Sequence, residues 1–557
     1  VSQVTTPESG AHARKQRVLT HGSPSGVASI AGAVVIKDED LFFLSDASGR
    51  VPLEGRHGFG LYYHDCRYLD GYEIRLGDTF PDILAATAER GYCALFELAN
   101  QLLPLGPDTT LPNERVAVRW ERVADGDALT LRELLTFRNY GVSHIDLPIT
   151  LRFASHFDDV FVVRGLITEE LGQVRPPEWT DDGILWLRYD GSDGLHRSVS
   201  IRITPTPDQG DDGVARLVLS LDSQESVDVR IAIVVAESED PGKVKPRVRS
   251  GEDDEVGGDS HRKSQQSWLE SHASVTTDDP ALESIVRRSL IDLRMLRTSL
   301  RGQEFFAAGV PWFVTLFGRD SILSALQTLA FDGPIAAQTL RLLAGFQGKE
   351  VDTWRDEQPG KIPHELRVGE LARRGAIPYT PYYGSVDATP LFLILLTEQA
   401  RWSGDLSLFH ELRENVDRAL TWIDEYGDVD GDGYVEYRSD TEHGLVNQGW
   451  KDSGDAIVNG DGSLARPPIA LVEVQGYVYA AKLGIAELCE RAGDPDRAAR
   501  LRAEAARLRE RFNRDFWLED RGFFALALQG DKRPAAVLSS NPGHALWTGI
   551  TDEEKSR

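Results

Sequence analysis

The chain has 557 residues, a formal net charge of −27, 41% hydrophobic and 27% charged residues, and three cysteines. It is too long for one core, so two or more domains are expected, and its acidity argues against nucleic acid or an anionic membrane as partner. Cys66, Cys93 and Cys489 are far apart, which excludes a disulfide scaffold or a thiolate zinc site and fits a reducing, cytoplasmic compartment.

Residues 1–25 lack the apolar core of a signal peptide and read as a flexible N-terminus. The first residue is Val1 rather than Met, as expected of a processed, alternatively initiated or partial chain. Over 26–237 the pattern alternates as in strands. Val116, Val118 and Trp120 share one face, and Leu129–Phe137 and Val227–Val235 behave alike, with Gly, Asp and Asn between the runs. Many short strands separated by turn signals predict a β-sandwich. Residues 238–275, charged and rich in Gly, Ser and Pro, read as a linker.

From 276 to 557 the period becomes helical. Asp279-Pro280 and Asp494-Pro495 are N-cap and first-turn proline signals. Leu412, Val416, Leu420 and Ile423 mark one helix and Tyr477, Ala481, Gly484 and Leu488 another. With weaker segments near 320–332, 334–347, 386–402 and 542–551, about eight helices are predicted. No apolar run reaches the length of a membrane span.

The loops between these helices carry the chemistry. In GVPWFVTLFGRDS, residues 309–321, Trp312 and Phe317 precede Arg319-Asp320. That pair is either a favourable helix start or a donor–acceptor couple for neighbouring sugar hydroxyls. GKIPHELRVGE brings His364 and Glu365. YTPYYGSVDATPLFL brings Tyr382, Tyr383 and Asp387, the last of which could be only a cap. NQGWKDSGD, residues 447–455, puts Trp450 and Lys451 beside Asp452 and Asp455. An aromatic face can stack on a pyranose, and a neighbouring acid can protonate a glycosidic oxygen. ALVEVQGY places Glu473 and Gln475 at the start of an apolar helix. Asp428, Asp430 and Asp432 alternate as in a calcium loop, but Ser439 stands where the closing acidic ligand belongs, so a solvated Asp/Gly turn is the expected reading. No P-loop, HExxH or G-x-S-x-G is present.

PWFVTLFGRDS, GKIPHELRVGE, YYGSVDATPLF, GYVEY with GWKDSGD, and VEVQGY, in this order, resemble the (α/α)6-barrel glycosidases, and among them the amylo-α-1,6-glucosidase (glycogen debranching enzyme glucosidase) family. GFGLYYHDCRYLDGYEIRLGD and FASHFDDVFVVRG resemble the β-sandwich that precedes that barrel. His156 and Val162 depart from the acidic residues expected there. The resemblance implies an N-terminal β-sandwich followed by a six-hairpin (α/α)6 toroid. Against about twelve helices in such a toroid, the eight here imply one incomplete at its C-terminus, about two-thirds present, with the family's general base beyond residue 557.

The resemblance further implies an inverting glycosidase removing α-linked glucose, as from the α-1,6 branches of glycogen or limit dextrin. Asp452 would be the general acid, and Arg319 and Asp320 would hold the terminal glucose. Trp312, Phe317, Tyr383 and Trp450 would line the pocket, and His364, Glu365, Asp387, Lys451, Glu473 and Gln475 complete the candidate binding set. Glu473, Asp455 and Glu365 are further carboxylates that could stand in for a base. The expected partner is an oligo- or polysaccharide, an α-glucan, and no cofactor is implied. Alternatives are an α-glucosidase for trehalose or another small α-glucoside, a sugar phosphorylase on the same architecture, and a glycan-binding protein without turnover.

Overall fold

The computed structural model describes residues 30, 32–106, 109–168, 171–240, 259–439, 441 and 443–557. The expected N-terminus 1–25 and the stretch 241–258 of the expected linker lie outside them.

The N-terminal half is all antiparallel sheet. An eight-stranded sheet runs in the order Gln173–Trp179, Ile184–Asp190, His196–Thr204, Ser226–Ser238, Thr130–Asn139, Val116–Asp125, Cys93–Ala99 and Asp82–Thr87. It shares a core with a four-stranded sheet of Gln209–Asp211, Val214–Leu221, Ile145–Ala154 and Gly71–Leu76, and with a second four-stranded sheet that begins at Val34–Asp38. The period-2 reading holds in detail: Val116, Val118 and Trp120 are fully buried while Arg119 is exposed, because successive side chains of a strand face opposite ways.

One pair breaks the apolar pattern. Arg122 and Glu133 sit opposite one another across neighbouring strands, and both are sealed from solvent. Glu133 accepts from Arg122 Nε, from the Tyr72 hydroxyl, and from Trp120 Nε1 at 3.1 Å. Arg122 Nη1 donates to the Gly49 carbonyl at 3.1 Å. A buried ion pair is costly unless further hydrogen bonds meet its remaining atoms; Tyr72, Trp120 and the Gly49 turn supply three, and Arg122 Nη2 is left without one.

The C-terminal half is helical, and helices occur near each of the eight predicted places. Asp279 caps Pro280–Leu296 through the Ala281 N–H, and Asp494 caps Pro495–Asp515. The helix Ala388–Ser403 is buried along almost its whole length, including Leu391 to Leu396. A helix that is apolar all round belongs inside a bundle. It packs against Gly318–Gln327, Gly333–Gly345 and Val472–Arg491, which places it in an inner layer. The loops that begin these inner helices therefore open toward one another.

Two departures from the sequence reading concern the link between the halves. Asp259–Ser271, expected as linker, is a helix. Its buried Trp268 and Gln265, whose Nε2 donates to the Arg90 carbonyl at 2.9 Å, dock it onto the sandwich; one tryptophan among polar residues is too sparse a signal for periodicity. The two halves are also clamped through residues 367–373 of the barrel. Asp65 accepts from Arg367 Nη1 at 2.8 Å and from the Val368 N–H at 3.0 Å. Tyr189 and Ser192 donate to Glu370 at 2.8 and 2.5 Å, and Asp193 pairs with Arg373 at 3.2 Å.

Removing one partner of the sealed pair leaves the other charge buried alone. Glu133→Ala is expected to cost about 3–5 kcal/mol, measured as a fall in the urea midpoint of the sheet signal. A loss below about 1 kcal/mol would show that the pair acts as a surface ion pair does.

Candidate active site

Four segments meet at Arg319. The helix Gly318–Gln327 starts against residue Pro363: a β-carbon on Gly318 would lie 2.1 Å from the Pro363 carbonyl oxygen, so only glycine allows this approach. Arg319, in the first turn, is buried. Its Nη1 donates to the Gly449 carbonyl at 2.8 Å and to Asp387 Oδ2 at 3.2 Å, and its Nη2 to Asp452 Oδ2 at 3.1 Å. Asp320 Oδ2 lies 3.8 Å from Arg319 Nε. Burial works against this charge, but Asp387, Asp320 and Asp452 together hold the guanidinium firmly protonated.

Asp387 is not merely a cap. It stands at the N-cap position of Ala388–Ser403 yet makes no capping hydrogen bond. Its carboxylate turns instead to Arg319 and to the Ser385 hydroxyl, 2.6 Å away. Asp320 has a raised pKa, first through burial and then through the charges of Asp387 and Asp452, with Arg319 opposing. Its Oδ2 has no hydrogen-bond partner. A partly buried carboxyl beside a guanidinium, with one oxygen left without a partner, can accept from a ligand hydroxyl.

The GWKDS loop is held from behind. Asn447 Nδ2 donates to the Ser453 carbonyl at 2.7 Å and its Oδ1 accepts from the Tyr437 hydroxyl at 2.7 Å. Gln448 Nε2 donates to Asp356 at 3.0 Å. At Gly449 a β-carbon would lie 2.1 Å from Leu471 Cδ1. These contacts present Asp452 to Arg319, with its side chain 38% exposed, while Asp455 points into solvent. Trp450 does not cover Asp452 from solvent. The Trp450 ring leans on His544, with centroids 4.9 Å apart, and is 40% exposed. Lys451 Nζ lies 5.8 Å from that ring.

Glu473 lies behind the loop, fully buried. Its Oε1 accepts from Asn541 Nδ2 at 2.8 Å and its Oε2 has no partner. Burial pushes its carboxyl up to about 7, with Asp387 adding and Asn541 and Lys451 opposing. Phe317 stacks edge-on against His364, centroids 5.4 Å apart. Burial first, then Arg319 and Arg367, push that imidazole well below its usual range, so it is neutral. Glu365 bridges to Phe317 through the backbone and lies 3.5 Å from Arg367 Nη2.

Four sequence candidates are directed elsewhere. The Tyr383 hydroxyl donates to the Phe346 carbonyl at 2.8 Å, facing away from Arg319. Trp312 packs in the junction with the sandwich against Ile30, Gly58 and Val163. Gln475 is consumed by the backbone of Val435, with bonds of 3.1 and 2.7 Å. The calcium candidate is also corrected. Asp428, Asp430 and Asp432 do converge, but Lys532 Nζ sits 2.6 Å from Asp430 and 2.5 Å from Asp432, and Asp428 accepts the Gly431 and Gly433 N–H groups at 2.8 Å. An ammonium takes the place a calcium ion would need. Residues the motifs did not reveal include Asn541 and His544, whose Nδ1 meets the Tyr477 hydroxyl at 2.7 Å. They stand about seventy residues beyond the groups they touch, and no local pattern marks them.

Comparison with known proteins agrees with this architecture. Residues 36–232 match the family model for the N-terminal domain of (some) glycogen debranching enzymes. Residues 335–557 match the mannosylglycerate hydrolase MGH1-like glycoside hydrolase domain. A structure assigned as a kojibiose phosphorylase from human microbiome is 9% identical, with a TM-score of 0.56 over 89% of this chain and 70% of its own. A bacterial glucoamylase complexed with acarbose is 12% identical, with a TM-score of 0.52 over 87% of this chain and 67% of its own. No curated protein matches. The fold is thus a sheet-rich domain followed by a helical domain with the (α/α)6-barrel fold of these structures, and residues 335–557 match a glycoside hydrolase domain model.

Glu473 makes stability pH-dependent. Its carboxyl moves from 4.5 to about 7 on folding, so the stability it contributes is complete below about 4.5 and is lost as pH rises through about 7. The non-titrating Glu473→Gln is expected to gain on the native protein by about 3 kcal/mol between pH 5 and pH 8, read from urea unfolding at both. An equal gap at the two pH values would refute a titrating Glu473.

Proposed function

We propose that this protein is an exo-acting, inverting glycosidase that releases α-linked glucose, with the α-1,6 branch residues of glycogen or limit dextrin as its substrate. One observation carries the reading: a single buried guanidinium ties Asp320, Asp387, Asp452 and the Gly449 carbonyl into one cluster. The match of the two halves to a debranching-enzyme N-terminal domain and a glycoside hydrolase domain supports it.

In this reading Asp320 and Arg319 grip neighbouring hydroxyls of the terminal sugar, acceptor beside donor, while Asp387 and the Gly449 carbonyl hold the guanidinium in place. Trp450, 40% exposed, offers an apolar face to the ring. Asp452 is the general acid. A pyranose settling on Arg319 competes for the guanidinium that Asp452 holds at 3.1 Å and strips water from its exposed side. The role of Asp452 is to hand a proton to the glycosidic oxygen as the bond breaks. In an inverting reaction a second carboxylate, about 6.5–9.5 Å from the acid, activates water on the opposite face of the sugar. Hydrolysis is favoured over phosphorolysis because Arg319 is already engaged by carboxylates and Lys451 is the one lysine on the GWKDS loop.

The full-length protein is expected to release glucose from limit dextrin faster than from trehalose, without added phosphate. Asp452→Asn, similar in shape, is expected to lower kcat by about 10²–10⁴-fold with a much smaller change in KM. Turnover near that of the native protein in this variant would remove Asp452 as the acid, and phosphate-dependent formation of a sugar phosphate would move the activity to a phosphorylase.

A further inference from the structure

The sandwich places a cation beside the helical domain's Phe313 that the barrel motifs do not anticipate. Arg164 follows the single-turn helix Val160–Val163, which is pinned by Asp159. That carboxylate accepts the Phe161 N–H at 3.0 Å and the barrel's Leu371 N–H at 3.3 Å. The Arg164 guanidinium lies over the rings of Phe313, at 5.4 Å, and Phe161, at 6.0 Å. Among the described residues its side chain makes no hydrogen bond and no ion pair. Burial, then the neighbouring Arg367, lower its pKa, while Glu365 and Tyr379 act in the other direction. A partly buried guanidinium whose donors face no protein acceptor among the described residues is free to donate to a ligand.

The groups that feel this charge are suited to the same ligand. Glu365 is an acceptor whose carboxyl is pushed up by burial, opposed by Arg367, raised by Asp65, lowered by Arg164 and raised by Asp452. The Tyr379 hydroxyl, on a ring stacked against Phe161 at 5.7 Å, makes no hydrogen bond to protein among the described residues. Phe313 is 40% exposed and meets Phe317 edge-on at 5.7 Å. Phe317 in turn precedes Arg319. Donor, acceptor, hydroxyl and aromatic face thus recur one aromatic ring away from the Arg319 cluster.

We propose that Arg164, Glu365 and Tyr379 form a second sugar subsite at the junction of the two domains, holding the ring on the leaving-group side of the cleaved bond. The assignment of the side rests on the Arg319 cluster holding the terminal glucose. An exo-acting pocket accepts one terminal residue, so a neighbouring ring belongs to the leaving group. The sandwich domain is then part of the substrate site and sets selectivity for what the glucose is attached to.

The test uses the full-length protein carrying Asp452→Asn to stop turnover, with glucose and isomaltose titrated by calorimetry. Arg164→Ala is expected to weaken isomaltose binding about tenfold more than glucose binding, since a charge-assisted hydrogen bond is lost with only one of the two. Arg164→Lys, which keeps the charge but not the fork, is expected to fall between. Tyr379→Phe removes a single hydroxyl and is expected to show the same selectivity in smaller measure. Equal weakening of both sugars by all three variants, or of neither, overturns the subsite. Isomaltose turnover is read separately with Asp452 intact: its absence counts against the glucosidase reading, whereas an unselective Arg164 effect with turnover intact counts against the subsite alone.

Discussion

A guanidinium buried at the mouth of the helical domain has to be paired, because an isolated charge out of water costs several kcal/mol or more. Arg319 meets that demand with groups from widely separated segments: its neighbour Asp320, Asp387 at the head of the inner helix, and the Gly449 carbonyl and Asp452 from the GWKDS loop. Each loop is thereby fixed relative to the others by electrostatics rather than by its own structure. The pairing is also unequal. Three carboxylates surround one cation, and burial, with the charges of Asp387 and Asp452 added to it and Arg319 opposing, raises the pKa of Asp320.

The parts legible in the sequence were those with a local cause. Strand alternation placed Val116, Val118 and Trp120 on the buried face, and the Asp-Pro signals marked two helix starts that the structure caps as expected. The motifs brought Arg319, Asp387 and Asp452 to notice, and these three do converge. What a motif does not encode is the direction of each side chain. Tyr382 and Tyr383 are adjacent, yet the first donates to Asp356 at 2.8 Å and the second to the Phe346 carbonyl. Gln475 and Glu473 share a helix start, and only Glu473 lies behind the GWKDS loop. Lys532 cannot be foreseen as the counter-ion of Asp430 and Asp432, since about a hundred residues separate them and a lone lysine carries no pattern. Pairings of this kind are set by tertiary packing.

The same limit hid the contribution of the sandwich. Read along the chain, the two halves look like separate domains joined by a polar stretch. In space the barrel loop 364–373 has little structure of its own: one turn of helix from Glu370 to Arg373 and a few isolated bridges. Backbone bonds to Gly318, Tyr382, Leu316 and Tyr379 hold its first residues, 364–367, and Asp65, Asp159, Tyr189, Ser192 and Asp193 on the sandwich hold the rest. His364 and Glu365 begin that loop and face the cleft beside Phe317. A disturbance of the sandwich is therefore transmitted to the wall of the cleft along a short path, Asp65 to Arg367 to Glu365, with contacts of 2.8 and 3.5 Å. An all-helical domain could hold the Arg319 cluster by itself, since all of its partners are on helical loops. The segment 367–373, by contrast, is held from both domains. In the reading proposed above, gripping of the terminal sugar falls to the helical domain and discrimination of what lies beyond it to the two domains jointly.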